Sequence, residues 1–234
     1  MNDLRHKGDF FMNLFDILGP VMVGPSSSHT AGAVRIGRMA RRLLGEGTPR
    51  MAKITLSGSF AATGRGHGTD RALVAGLLGM HTDDERIPAS FDAARDKGMG
   101  YVFSSQNLAG EHPNTAKIEL TGKSGKTLSM IASSLGGGRI VVAEMNGLRV
   151  SFSGDLPTLI VQNRDQPGYV RDVSDVLAKN SVNIATLHLY RDYPGGSAVM
   201  IIETDKAVPG EGLDAIRAMK GITGVTFVGT EKAR

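Results

Sequence analysis

The chain has 234 residues, 41% apolar and 21% charged, with a formal net charge of +4 at pH 7, an ordinary balance for one or two globular domains with a buried core. It contains no cysteine, which excludes disulfides and thiolate-held zinc or iron–sulfur sites within this chain and agrees with a cytoplasmic location. The apolar runs are too short to span a bilayer and no signal-peptide pattern opens the chain. The one basic patch, Arg38-Met39-Ala40-Arg41-Arg42, lacks interleaved aromatics, so neither a membrane nor nucleic acid is an expected partner.

Met1 to Phe10 is mixed and polar and reads as a frayed start, and Phe11 to Leu18 reads as a short docked helix stopped at Gly19-Pro20. Then comes Gly24-Pro25-Ser26-Ser27-Ser28-His29-Thr30-Ala31-Gly32, which sets hydroxyls and an imidazole between a Gly-Pro turn and a helix start. From Ala33 the spacing is helical, with Ile36, Met39, Ala40, Leu43 and Leu44 on one face and Arg35, Arg38, Arg41 and Arg42 on a solvated one. Ser27, Ser28 or Thr30 is expected to cap this helix. A strand is predicted over Ala52 to Phe60, passing through Ser57-Gly58-Ser59 into a glycine-rich turn. A second helix begins at Thr69-Asp70 and turns Leu73, Val74, Leu77 and Leu78 inward.

His81 to Lys97 is charged and irregular, with a helix from Ser90. Lys117 to Phe152 is strand-rich, and Asn146-Gly147 marks a hairpin because both turn positions need positive φ. Gly136-Gly137-Gly138 marks a backbone bend or close approach. Gly154-Asp155-Leu156-Pro157 is a boundary. Beyond it strands are predicted at Thr158–Asn163, Ile184–Tyr190, Ser197–Glu203 and Gly224–Val228, with helices at Pro167–Lys179 and Gly212–Met219. Val170, Val173, Val176 and Leu177 form the apolar stripe of the first of these helices, and Asp165 or Gln166 is its expected cap. The order βαββαβ is ferredoxin-like, so the fold class is α/β in the α+β sense.

Three loops carry chemistry. His29 stands in the serine cluster, His67 in Gly64-Arg65-Gly66-His67-Gly68-Thr69-Asp70, and His112 in His112-Pro113-Asn114-Thr115. Hydroxyls and free N–H groups at a helix N-terminus suit a carboxylate. The same helix end disfavours imidazolium, so His29 and His67 are expected to be neutral near pH 7 and able to accept a proton. Taken singly, each reads equally as a capped helix start or a surface histidine; together they point to a site. No short His-x-x-x-His pair supports a zinc triad, no nucleophile elbow supports a Ser-His-Asp triad, and the glycine loop lacks a complete phosphate-binding pattern.

These motifs, with Gly58-Ser59-Phe60, His112-Pro113-Asn114-Thr115-Ala116 and Ser134-Leu135-Gly136-Gly137-Gly138 in the same order, closely resemble the beta chain of iron–sulfur-dependent L-serine dehydratase. The C-terminal part resembles an ACT domain, with Asn163-Arg164-Asp165-Gln166-Pro167-Gly168 as its ligand-loop pattern. The resemblance implies a dehydratase beta-chain domain over residues 11–153 and an ACT domain over 157–230. It also implies an N-terminal fold similar to the allosteric substrate-binding domain of phosphoglycerate dehydrogenase. The implied reaction converts L-serine to pyruvate and ammonia with a 4Fe–4S cluster. Such a cluster needs thiolates, so a separate alpha chain is expected to carry it.

By resemblance Ser28, His29, His67, His112 and Asn114 would bind substrate or move protons, while Ser26, Ser27, Thr30, Gly66, Gly68 and Thr69 would line the substrate site. Asn163, Asp165, Pro167 and Gly168 would take an amino-acid effector. Edge-to-edge pairing of ACT-like sheets would make the isolated chain a homodimer. The alternative is a non-catalytic module of the phosphoglycerate dehydrogenase type that binds a small anion or amino acid.

Overall fold

The computed structural model describes residues 21–64 and 66–230, so the helix expected at Phe11 to Leu18 lies outside the described residues. Strand β1 (Met51–Ser57) pairs in parallel with β2 (Gly100–Ser105) and antiparallel with β3 (Asn114–Thr121). Antiparallel β4 (Thr127–Gly136), β5 (Arg139–Met145) and β6 (Leu148–Phe152) complete a six-stranded sheet in the order β2-β1-β3-β4-β5-β6. The β5–β6 turn has Asn146 at φ 51 and Gly147 at φ 82, the positive pair that the sequence demands there.

Among the described residues four α-helices accompany this sheet: α1 (Ala33–Leu44), α2 (Gly58–Thr63), α3 (Thr69–Leu77) and α4 (Ser90–Asp96). A single π-helical turn, Ser27–Gly32, leads into α1. The strand expected to reach Phe60 stops at Ser57. Gly58, at φ 55, turns the chain out of the sheet, and Phe60 is then buried completely on α2. Strand β2 was not expected from the sequence.

The apolar face of α1 is buried as its spacing requires. Its arginines are half-buried rather than solvated. Arg35 donates to the Gly138 carbonyl at 2.9 Å and to Asp155 at 2.7 Å, Arg38 to the Gly79 and Met80 carbonyls at 3.2 Å, and Arg42 to the Gly229 carbonyl. Chain ends and turns leave carbonyls without ladder partners, and a guanidinium has donors enough to satisfy them.

Helices α1 and α3 cross at two glycines. A Cβ on Gly76 would overlap the Val34 carbonyl and stand 2.9 Å from the Gly37 Cα, and one on Gly37 would overlap the Leu73 carbonyl. Just upstream of the two helices the His29 and His67 rings meet, with centroids 4.9 Å apart. Both helices therefore begin at the same end of the layer.

The second sheet contains β7 (Thr158–Arg164), β8 (Ile184–Arg191), β9 (Ser197–Thr204) and β10 (Ile222–Val228), all antiparallel in the order β10-β7-β9-β8. Helices α5 (Tyr169–Lys179) and α6 (Gly210–Arg217) supply the crossovers of the expected βαββαβ order. Leu159, Val161, Met200 and Ile202 pack with Val173, Leu177 and Ile216. Ile160, Val199, Ile201 and Val228 instead join the core built around α1. Burial on both faces explains the continuous apolar runs of β7 and β9. Gly168 at φ 107 begins α5 without a side-chain cap, so neither Asp165 nor Gln166 takes that role, and Val170 is 41% exposed. Among the described residues no helix is long and apolar enough to cross a membrane.

The glycine crossing predicts that Gly76→Ala, which inserts a methyl group into closed space, destabilises the fold by about 1–3 kcal/mol. Gly210→Ala adds its Cβ where nothing lies within 4 Å and serves as the neutral comparison. Calorimetric melting should show a clear drop for the first alone; equal midpoints would contradict the packing described.

Candidate active site

Ser26, with extended backbone at φ −142, is the cap of the π-helical turn, in place of the expected Ser27, Ser28 or Thr30. Its Oγ accepts from the His29 N–H at 3.1 Å, and its carbonyl accepts from the Thr30 N–H at 2.9 Å. The N–H groups of Ser27 and Ser28 remain as first-turn donors that the helix itself cannot satisfy. Thr30 is buried against Gly24, and its Oγ1 has no hydrogen-bond partner among the described residues. Gly32 lies against Ser134 so closely that a side chain there would displace the Ser134 hydroxyl.

The His29 ring packs edge-on to Phe60, with centroids 5.3 Å apart, and tilts against the His67 ring at 4.9 Å. His29 Nε2 lies 3.2 Å from Ser59 Oγ and 3.1 Å from Thr63 Oγ1. His67 Nδ1 lies 3.1 Å from the Thr63 carbonyl oxygen. A carbonyl only accepts, so Nδ1 carries the proton there, and the lone pair of the neutral ring is on Nε2. Burial, and after it the neighbouring His67, hold the His29 imidazole below the ordinary histidine value, while the hydrogen bonding at Ser59 pulls the other way.

The third loop docks on the same segment through its backbone. The Pro113 carbonyl accepts from the Ser59 N–H at 2.7 Å, and Gly58 bridges to Asn114. A Cβ on Gly58 would stand 2.8 Å from the Pro113 Cα, which, with its positive φ, reserves the position for glycine. His112 Nδ1 accepts from the Asn114 N–H at 3.1 Å, and Asn114 Oδ1 is buried without a partner among the described residues.

The fold thus brings His29 and His67 into contact and seats the His112–Asn114 loop on the chain that holds His29. Ser27 and Ser28 are half-buried at the turn, and Ser28 Oγ faces Gly136, where the backbone is left-handed through Gly138. Thr69 is wholly buried at the start of α3 behind Gly68, which is left-handed at φ 70, whereas Gly66, His67 and His112 are exposed. Short hydroxyls, N-terminal amides and imidazoles that take or give protons suit an anionic substrate undergoing proton transfer. Among the described residues no three His, Asp or Glu side chains are grouped to hold a metal ion.

Sequence reasoning missed Ser59 and Thr63 as site residues. Ser59 and Thr63 stand four residues apart, the spacing of one helical face, but the sequence reads as a strand through Phe60, so that spacing gains meaning only once α2 is a helix.

A second concavity, of about 360 Å³, lies at the start of α5 and is lined by Asn163, Asp165, Pro167, Gly168, Leu189 and Arg191, among others. Asn163 is 4% exposed, and its Nδ2 donates to the Arg164 carbonyl at 2.6 Å, while Oδ1 has no partner among the described residues. The Asp165 carboxylate accepts from the Gly195 N–H and from Arg191, each at 3.0 Å, and these contacts, the amide first, hold it below the usual carboxylate range.

Comparison with known proteins finds the serine dehydratase beta chain family over residues 12–99 and the ACT domain family over residues 157–221. The chain is 42% identical to a Bacillus subtilis protein described as "Probable L-serine dehydratase, beta chain", across 93% of this chain and 98% of that protein. It is 37% identical to the "L-serine dehydratase, beta chain" of Peptoniphilus asaccharolyticus, across 92% and 96% respectively. A D-3-phosphoglycerate dehydrogenase of Methanocaldococcus jannaschii is 28% identical across 58% of this chain and 25% of its own length.

In an NMR titration of the isolated chain, the His29 ring should titrate below 6.5. His67→Gln should raise that midpoint without restoring it, because burial is the larger cause. With the folded value below the unfolded one, His29 contributes stability that is full above the unfolded value and lost as pH falls through the folded midpoint. Melting temperature should therefore decline on acidification from about 6.5, less so in His29→Gln; a His29 midpoint above that of free histidine would contradict the arrangement.

Proposed function

The chain belongs to the serine dehydratase beta-chain family, and we propose that it is the β subunit of a cytoplasmic L-serine dehydratase whose α chain carries a 4Fe–4S cluster. The observation that carries this reading is the contact between His29 and His67 beside a serine-lined helix N-terminus, on a face where His67 is exposed. A cluster requires thiolate ligands, and the sequence has no cysteine. The residues of this chain do not fit the cluster. Its part lies in binding and proton transfer, in a beta-chain domain of residues 11–153 that a cysteine-bearing subunit completes.

In the overall reaction L-serine loses its α proton and its hydroxyl group, and the aminoacrylate formed tautomerises and hydrolyses to pyruvate and ammonia. The N–H groups and hydroxyls of Ser27 and Ser28 hold the substrate carboxylate at the helix N-terminus. His67 takes the α proton on Nε2, the nitrogen that its bond to the Thr63 carbonyl leaves unprotonated. His29, held neutral by burial, keeps a second charge away from that ring. Asn114, whose Oδ1 has no partner among the described residues, approaches from the loop docked on Ser59 and accepts from the amino group, while His112, with Nδ1 accepting from the Asn114 N–H, has its Nε2–H free to donate to the carboxylate. The rival reading, a non-catalytic anion-binding module, predicts no dependence of turnover on these imidazoles.

The 360 Å³ concavity at α5 is proposed to bind an amino-acid effector, because it is lined by the start of a helix and by Asn163, whose buried Oδ1 has no partner among the described residues. Edge strand β8 is proposed to pair with its counterpart in a second copy.

Mixing the purified α chain with His67→Gln β chain under anaerobic conditions should give an intact complex by gel filtration and a turnover rate lowered by about 10²–10⁴-fold. Full turnover in the intact complex would refute the role. Calorimetric titration with L-serine and other amino acids should show saturable binding that Asn163→Ala abolishes; silence across the set would end the effector proposal.

A further inference from the structure

Thr63 touches both imidazoles, and with different atoms. Its side-chain Oγ1 is 3.1 Å from His29 Nε2, and its carbonyl oxygen is 3.1 Å from His67 Nδ1. The carbonyl can only accept, so His67 is protonated on Nδ1. The hydroxyl has one proton, and it goes to the Ser59 carbonyl at 2.9 Å, one turn back along α2. What Oγ1 presents to His29 is then a lone pair, which requires a proton on His29 Nε2. Ser59 Oγ, 3.2 Å from the same nitrogen, accepts as readily as it donates, so the Ser59 hydroxyl leaves the choice open; the Ser59 backbone also hydrogen-bonds the ring, and Thr63 is the side chain that makes the choice.

We infer that Thr63 is a positioning residue that fixes the two touching rings in opposite tautomers, His29 protonated on Nε2 and His67 on Nδ1. The unprotonated nitrogens are then His29 Nδ1 and His67 Nε2, so the rings offer different edges and neither replaces the other. The side chain of Thr63 is not required by the core: the residue is exposed at the last position of α2. The consequence for turnover rests on the proposal that these rings act on serine; the tautomer assignment does not.

The test is long-range ¹H–¹⁵N correlation of the histidine rings in the full chain above pH 7, in wild type, Thr63→Val and Thr63→Ser. The wild-type spectrum should show His29 as the Nε2–H form and His67 as the Nδ1–H form. Thr63→Val should move His29 toward a mixture while leaving His67 in place, since its partner is the backbone carbonyl, and Thr63→Ser should restore the wild-type pattern. A wild-type His29 protonated on Nδ1, or a His29 unmoved by Thr63→Val, overturns the inference; the first needs no variant to fold. In complex with the α chain, Thr63→Val, which leaves the proposed base His67 in its tautomer, should lower kcat far less than His67→Gln does, and Thr63→Ser should match the wild type. Shifted tautomers with a loss of kcat as large as that of His67→Gln would overturn the supporting role given to His29 and leave the tautomer assignment standing.

Discussion

Two glycines facing each other, Gly37 on α1 and Gly76 on α3, let two helix backbones meet with no side chain between them. Their N-terminal ends lie on the same side of this crossing, where the two rings meet. Each end carries a histidine just upstream: His29 on the π-helical turn before α1, and His67 two residues before α3. A wider separation would part the rings, whose centroids are now 4.9 Å apart. Close helix packing is therefore what converts two distant sequence motifs into one pair of imidazoles. The fine alignment comes next, from the short helix α2, whose Ser59 and Thr63 bind one ring and whose last carbonyl binds the other.

Helix α1 is also the wall that the two sheets share. Its N-terminal turn builds the site, while further along Met39 packs against Gly154 and Arg42 reaches the Gly229 carbonyl beyond the last strand. Ile160, Val199, Ile201 and Val228 of the second sheet belong to the same core as Ile36 and Leu44. The second concavity lies at the start of α5, and the β7 and β9 strands leading to it alternate their side chains between α1 and α5. A residue of either strand that faces α1 has neighbours in direct contact with the helix into which the His29 turn leads.

Much of this fold is legible in the sequence because local signals and tertiary demand agree. The apolar face of α1, the inward residues of α3, the Asn146-Gly147 hairpin and the βαββαβ order of the C-terminal part all follow from period and turn chemistry. The departures share a cause. Gly58-Ser59-Phe60 continues an apolar strand pattern, yet it coils into α2 because Phe60 gains a fully buried place and the Pro113 carbonyl receives the Ser59 and Phe60 amides. Strand β2, an edge strand, alternates between exposed and half-buried residues, but Tyr101, Val102 and Phe103 are apolar in succession, so the sequence shows no polar–apolar alternation to read. The arginines of α1 read as solvated because the carbonyls that bind them come from residues 41 to 187 positions away. At the site, the three histidine motifs were legible but their partners were not, since Ser59 and Thr63 acquire meaning only once α2 is a helix.

The account stands on one claim: that the imidazoles and helix-end donors of this chain form half of a dehydratase site, which an iron–sulfur α chain completes. Anaerobic serine turnover, measured with each purified chain alone and with the two mixed, tests that claim most directly. Pyruvate should form only in the mixture, at a rate that saturates as this chain is added to a fixed amount of α chain. Full turnover by the α chain alone, unchanged by addition of this chain, would contradict it.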